Sequence, residues 1–203
     1  LNGIDYFGER QKLVEHMREH VPLTPEIEKA FLSVPREEFV PHEYRHSAYA
    51  DTALPLVSGA TISQPSMLAI MLLEMQLNPG NTVLEAGSGC GYFLALLSEV
   101  GAIATGVEII PELARRSKET LAKLGYKVDV IEGDAAKVRF LQPFDRVVFS
   151  AAVEEIPNWA IELLAPEGFV LAPVGGRSDQ ELARAFVNRV EWTGKRCRFV
   201  PFI

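Results

Sequence analysis

Residues 83–92 read Val83-Leu84-Glu85-Ala86-Gly87-Ser88-Gly89-Cys90-Gly91-Tyr92. A short apolar run breaks into a glycine-rich turn, and an apolar helix pattern follows over 91–100. Glycine lets the backbone turn sharply and come close to a bound group, so a strand–turn–helix of this kind predicts a ligand site at the turn. The spacing is G-x-G-x-G, one residue shorter than the dinucleotide pattern G-x-G-x-x-G, and no phosphate-binding Lys follows as in a P-loop. The next predicted strand ends at Glu108, about twenty residues beyond Gly87, where a carboxylate can accept both hydroxyls of a ribose. Asp134 follows the third strand in Glu132-Gly133-Asp134, within reach of an adenine amino group. A nucleoside without pyrophosphate fits this set better than NAD.

Outward from the turn, strands and helices alternate. Strands are predicted at 82–86, 103–107, 128–131, 146–150 and 169–174, with helices at 91–100, 111–124 and 156–164. Residues 185–192 and 196–202 read as a terminal hairpin joined at Thr193-Gly194. Short apolar strands alternating with helices predict a doubly wound, mostly parallel sheet covered on both faces, an α/β fold whose ligands sit at the strands' carboxyl ends. Upstream, Phe7, Leu13, Val14 and Met17 predict a helix over about 5–20, ended by Pro22. Thr24-Pro25 reads as a cap opening a second helix to about Ser33. Residues 35–65 hold five Pro or Gly breaks and read as a long functional loop with short ordered pieces. An apolar helix starts at Pro65. One domain is expected over 1–203, with a helical N-terminal lobe (1–64) and a sheet core (65–203).

The chain has 203 residues, 48% hydrophobic and 23% charged, with a net charge of −7. It has enough apolar material for a core, and its acidity argues against nucleic-acid or anionic-membrane partners. Two cysteines, Cys90 and Cys197, make no disulfide framework, and no secretory pattern is visible, so a cytoplasmic location is expected. Residues 52–73 carry no charge, yet Pro55, Gly59 and Pro65 interrupt them and argue against a membrane span.

Further stretches carry a family resemblance. They are Val34-Pro35-Arg36-Glu37-Glu38-Phe39-Val40-Pro41, Ala48-Tyr49-Ala50-Asp51, Gly59-Ala60-Thr61-Ile62-Ser63-Gln64-Pro65, Val107-Glu108-Ile109-Ile110-Pro111, Pro143-Phe144-Asp145-Arg146-Val147, Pro173-Val174-Gly175 and Phe199-Val200-Pro201. Together with the glycine turn they resemble the protein-L-isoaspartate (D-aspartate) O-methyltransferases, a family of class I S-adenosylmethionine-dependent methyltransferases, over roughly residues 5–203. The Thr-Ile-Ser-x-Pro loop is the most specific of them.

The resemblance implies a seven-stranded Rossmann-like sheet and transfer of a methyl group from S-adenosyl-L-methionine to the α-carboxylate of L-isoaspartyl residues, with no metal and with S-adenosyl-L-homocysteine as product. The ester then closes to a succinimide, which begins repair. The implied catalytic residue is Ser63, whose hydroxyl would orient the carboxylate at the N-terminus of the Pro65 helix, a place that favours an anion. Ser63 could also serve as an N-cap. Cofactor contacts are implied at Ala60, Thr61, Ile62, Glu85, Gly87, Ser88, Gly89, Gly91, Glu108, Ile109, Asp134 and Ala135, and substrate contacts at Ser63 and Val174. Isoaspartyl peptides and proteins are the implied partners, and the chain is expected to act as a monomer. The uncharged stretch 52–73 suits a site that receives a carboxylate, since like charges repel. Many members differ at Ser66, Ala135 and Glu162, where they carry His, Gly and Gln. A methyltransferase for another carboxylate or small molecule, or a non-catalytic cofactor-binding protein, are the competing functions.

Two other motifs compete. His42-Glu43-Tyr44-Arg45-His46 matches H-E-x-x-H, which on a helix would place two imidazoles on one face for zinc. Pro41 and irregular flanks favour a solvated turn instead. Cys90 sits at a strand-to-helix turn but lacks the flanking glycines of a hydrolase elbow, with Ser88 and Tyr92 in their places, so it is expected to line the cofactor pocket. Cys197 reads as a buried strand residue. His16 and His20 read as an exposed helix face, as do Arg115, Arg116 and Lys118.

Overall fold

The computed structural model describes residues 4–203. Residues 1–3 of the expected N-terminal lobe lie outside the described residues. Helix α1 (Tyr6–Arg18) is capped by Asp5, whose carboxylate accepts the Gly8 N–H at 3.0 Å. It buries Leu13, Val14 and Met17, but Phe7 is 61% exposed, so the apolar face begins one turn later than the sequence pattern suggests. Thr24 caps α2 (Pro25–Ser33) through the Ile27 N–H, as its position before Pro25 predicts. Residues 36–60 form three 3-10 turns and the near strand of a small hairpin, β1 (Leu54–Pro55) against β2 (Thr61–Ile62). Helix α3 (Pro65–Met75) buries Leu68, Met71, Leu72 and Met75, and Gln76 in a left-handed conformation ends it.

The main sheet follows. Its strands are β3 (Thr82–Ala86), β4 (Ile103–Glu108), β5 (Asp129–Glu132), β6 (Phe144–Phe149), β7 (Leu164–Gly176), β8 (Asp179–Phe186) and β9 (Arg189–Cys197). The helices between them are α4 (Tyr92–Glu99), α5 (Pro111–Lys123) and α6 (Asn158–Glu162). The order is β5-β4-β3-β6-β7-β8-β9, parallel through β7 and antiparallel at β8 and β9. Neighbouring residues of the central strands point to opposite faces and both faces are dry. Val83, Val148, Phe169 and Leu171 join a core with α2, α3 and α4. Leu84, Val147, Phe149 and Val170 join another with Ala160 of α6. Burial on both faces is why these strands read as near-continuous apolar runs. The chain leaves β3 in one direction to β4 and β5, then returns to pair β6 on the other side. The crevice of a doubly wound sheet opens there, at the ends of β3 and β6.

The terminal hairpin differs from the sequence reading. Its turn is Val187-Asn188, and β9 runs straight through Thr193-Gly194. The Thr-Gly signal is spent on a bulge: the register shifts between Glu181 and Ala183, and the Gly194 N–H donates to Glu181 Oε1 at 2.8 Å. Helix α6 is also shorter than expected, because Leu164 pairs with Phe144 as strand. Cys197 is half-buried rather than buried.

Gly106 of β4 lies under the glycine turn. A Cβ there would stand 2.6 Å from Leu94 Cδ1 and 2.8 Å from Ser88 Cβ. Gly106→Ala should destabilise the protein by about 1–3 kcal/mol through overpacking, read as a lower midpoint in urea unfolding. An unchanged midpoint would show that the turn can lift off β4 freely.

Candidate active site

A cleft of about 250 Å³ opens at the ends of β3, β4 and β6. Gly87 and Gly89 form its floor, both at positive φ (76° and 56°), which is where the turn requires glycine. Glu108, at the end of β4, is only 4% exposed. Its two oxygens accept the N–H groups of Gly89 (2.7 Å) and Ile110 (2.8 Å). A carboxylate offers about four acceptor sites, so each oxygen keeps one for a ligand hydroxyl. Ala60 and Thr61 of the small hairpin form the roof, with Ile109 on the β4 side.

Behind the glycine turn a smaller cavity is lined by Ser63, Glu85, Ser88, Cys90 and Tyr92. Glu85 is 1% exposed, and Ser150 donates its hydroxyl to Oε1 at 2.5 Å. The other oxygen, Oε2, is buried without a partner, as are Ser88 Oγ and the Tyr92 hydroxyl. Burial pushes the Glu85 carboxyl up to about 8; the Ser150 hydroxyl pulls it down and the nearby Glu108 charge adds to the rise. An acceptor of this kind is suited to a cationic donor entering from the cleft.

Ile62 is buried beneath the hairpin, and Ser63 follows it into the same small cavity. Ser63 does not cap α3. Asp51 does: it accepts from Ser66 N (2.8 Å), Ser66 Oγ (2.7 Å) and Gln64 Nε2 (3.0 Å). The helix N-terminus expected to attract a substrate anion is therefore already occupied by a carboxylate of the chain itself. Ser66 thus has a structural role of its own. Behind the loop, the fully buried Arg36 donates from Nη2 to the Ser63 carbonyl at 2.8 Å.

The remaining sequence expectations divide. Asp134 lies at the turn after β5, tied to the site because Gly133 N–H donates to the Glu108 carbonyl, but its carboxylate is engaged by Lys137 and the Ala136 N–H, which hold it below the usual range. Ala135 is buried beside it. Gly91 does not face the cleft: a Cβ there would meet Ser117 and Leu121 of α5 at 3.0 Å, so it serves helix packing. Val174, half-buried, bridges Val153 beyond the cleft wall. Cys90 lines the small cavity rather than the larger cleft, and burial pushes its thiol up to about 11, away from the thiolate that a nucleophile needs. His42–Ser47 is a 3-10 turn, where residues four apart do not share a face, and His42 and His46 are exposed, so it is not a zinc helix.

Three contributors escaped the motif reading. Ser150 bonds Glu85, Arg36 holds Ser63, and the C-terminal segment reaches the cleft. Phe202 stacks edge-on to Phe149 (5.0 Å) beside Gly87, while Ala152 exchanges backbone bonds with Val200 and Phe202. Arg36 and the Phe199-Val200-Pro201 stretch lie in segments that carried the family resemblance, and Ser150 carried no signal.

A family model for protein-L-isoaspartate(D-aspartate) O-methyltransferase matches residues 8–203. The chain belongs to that family. It is 41% identical over 177 residues to protein-L-isoaspartate O-methyltransferase 2 of Archaeoglobus fulgidus, covering 85% of this chain and 81% of that one. It is also 41% identical to the enzyme of the same name from Staphylothermus marinus, over 97% of this chain and 94% of that one. A Plasmodium falciparum structure of the same family name, solved with S-adenosyl-L-homocysteine, shares the fold with a TM-score of 0.81 over 96% of this chain and 98% of that one at 22% identity. Like its relatives the chain is an enzyme of the class I methyltransferase fold. No helix among the described residues is long and apolar enough to cross a membrane.

Glu85 has a consequence for stability. Its folded-state value lies above the unfolded one, so the folded protein holds the proton more tightly, and the contribution is full below about 4.5 and is lost as pH rises toward 8. Unfolding of the ligand-free protein should show stability falling by up to the order of 1 kcal/mol per pH unit across that window, and Glu85→Gln should remove that slope. An identical pH profile in the variant would contradict the assignment.

Proposed function

We infer that the chain methylates the α-carboxylate of L-isoaspartyl residues in proteins, with S-adenosyl-L-methionine as donor, and so begins their return toward aspartate through a succinimide. The observation that carries this reading is the meeting of two unlike subsites at one crevice. Glu108 and Glu85 offer carboxylate oxygens with open acceptor sites, and the stretch from Thr52 that includes Ser63 offers a hydroxyl in a segment free of acidic side chains.

The donor brings a methyl group already activated by a sulfonium charge. Glu108 receives the ribose hydroxyls. Glu85 Oε2 receives the ammonium of the methionine end, which restores its negative charge at neutral pH. Ser88 and the backbone of Gly87 and Gly89 shape the floor. Asp134, freed from Lys137, and the Ala135 N–H take the adenine side, with Ile109 against the base. Ala60, Thr61 and Ile62 cover the cleft and exclude water. Ser63 orients the substrate carboxylate in line with the sulfonium, and Val174 borders the peptide. No general base is needed, because a carboxylate is already an anion at neutral pH. The work is alignment and desolvation. One copy of the chain over residues 1–203, lobe and core together, suffices for this, in the cytoplasm, with no metal, nucleic acid or membrane.

Labelled methyl transfer to paired isoaspartyl and aspartyl peptides tests the reading: label should enter the first and not the second, and equal labelling of both would overturn it. Ser63→Ala should lower turnover by about tenfold while S-adenosyl-L-homocysteine affinity stays within about twofold, since one neutral hydrogen bond is lost in the transition state. Unchanged turnover would remove Ser63 from the reaction. Glu108→Ala should weaken S-adenosyl-L-homocysteine binding by at least tenfold in calorimetry, because two charge-assisted bonds go with it. Equal affinity would contradict the ribose role.

A further inference from the structure

Arg36 is the one fully buried arginine among the described residues. No carboxylate lies within hydrogen-bond distance of it among those residues. The nearby acids are otherwise engaged: Glu37 with Arg10 and Tyr49, Asp51 with Ser66 and Gln64. Its donors go to backbone carbonyls instead, Nε to Ala48 at 2.9 Å and Nη2 to Ser63 at 2.8 Å, with Thr52 at 3.5 Å. The guanidinium lies 4.9 Å from the centre of the Tyr92 ring, and Nη1 is buried without an acceptor. Burying a cation with no hydrogen-bonded counter-ion is costly, and the Asp51 charge, which is bonded elsewhere, offsets that only from a distance. This one sits directly behind Ser63, a lining residue of the small cavity. Tyr92 and Cys90 line that cavity too, so the charge lies just behind its lining.

We propose that Arg36 is a positioning residue for methyl transfer. It grips the Ser63 carbonyl from behind, fixes the loop over the cavity, and places a full positive charge where the incoming substrate carboxylate completes the missing ion pair. The N-terminus of α3 cannot supply that charge, because Asp51 has claimed it. The fork geometry of a guanidinium is needed to bridge the Ala48 and Ser63 carbonyls, and a lysine ammonium cannot reproduce it. The proposal rests on the Ser63 reading above, and the experiment separates the two.

The test is a double-mutant cycle on the full chain with Arg36→Lys, Ser63→Ala and the pair. It reads kcat and KM for an isoaspartyl peptide and affinity for S-adenosyl-L-homocysteine. Arg36→Lys alone should lower kcat/KM by about tenfold with the affinity within about twofold, and in the Ser63→Ala background it should cost less than about threefold. Multiplicative losses, or no loss from Arg36→Lys, would overturn the proposal and leave Ser63 standing. No loss from Ser63→Ala would bring down both. Should Arg36→Lys fail to fold, the wild-type protein labelled with ¹⁵N-arginine answers instead. The Arg36 guanidinium resonances should shift when S-adenosyl-L-homocysteine and the isoaspartyl peptide are added together, and stay put with the aspartyl twin; no shift with either would overturn the proposal.

Discussion

The Glu108 carboxylate, clamped by the N–H groups of Gly89 and Ile110, is the contact around which the rest of the structure is arranged. It ties the glycine turn after β3 to the end of β4, so that two loops from adjacent parallel strands become one surface. That surface exists only because β4 is bare at Gly106, where Leu94 and Ser88 press against the backbone. The clamp also leaves acceptor sites open toward the cleft. Packing, turn geometry and ligand chemistry therefore meet at one buried acid.

The N-terminal lobe solves a different problem. A site that admits a carboxylate must keep its acidic neighbours neutral or bonded elsewhere, yet it must not leave backbone donors idle. Asp51 takes the donors at the start of α3, just before the uncharged stretch begins, and Arg36 ties Ala48 and Ser63 together from below. The result is a loop held by polar bonds at its back, with Ser63 beside the small cavity. Glu85 complements it from the floor: a buried acid with one satisfied oxygen, neutral by preference until a cation arrives.

The parallel core was legible in the sequence because its strands are buried on both faces and its turns carry glycine; β3 has the limits that the pattern predicts. The place of Glu108 at the end of a strand was legible in the apolar run before it. The terminal hairpin was misread because Thr193-Gly194 satisfies a bulge as well as it would a turn. Asp51, Ser150 and Arg36 were invisible as site residues because their roles depend on contacts across 15, 65 and 27 positions of the chain. No local spacing reports such contacts. At Gly91 the motif implied the ligand, while the structure adds a packing reason for glycine that no spacing reports, since a side chain there would meet α5.

A crystal structure with S-adenosyl-L-homocysteine tests the central claim most directly. Both ribose hydroxyls should lie within hydrogen-bond distance of the Glu108 carboxylate, with the sulfur turned toward Ser63. A ribose bound elsewhere, or a sulfur facing away from the Ser63 loop, would contradict the account.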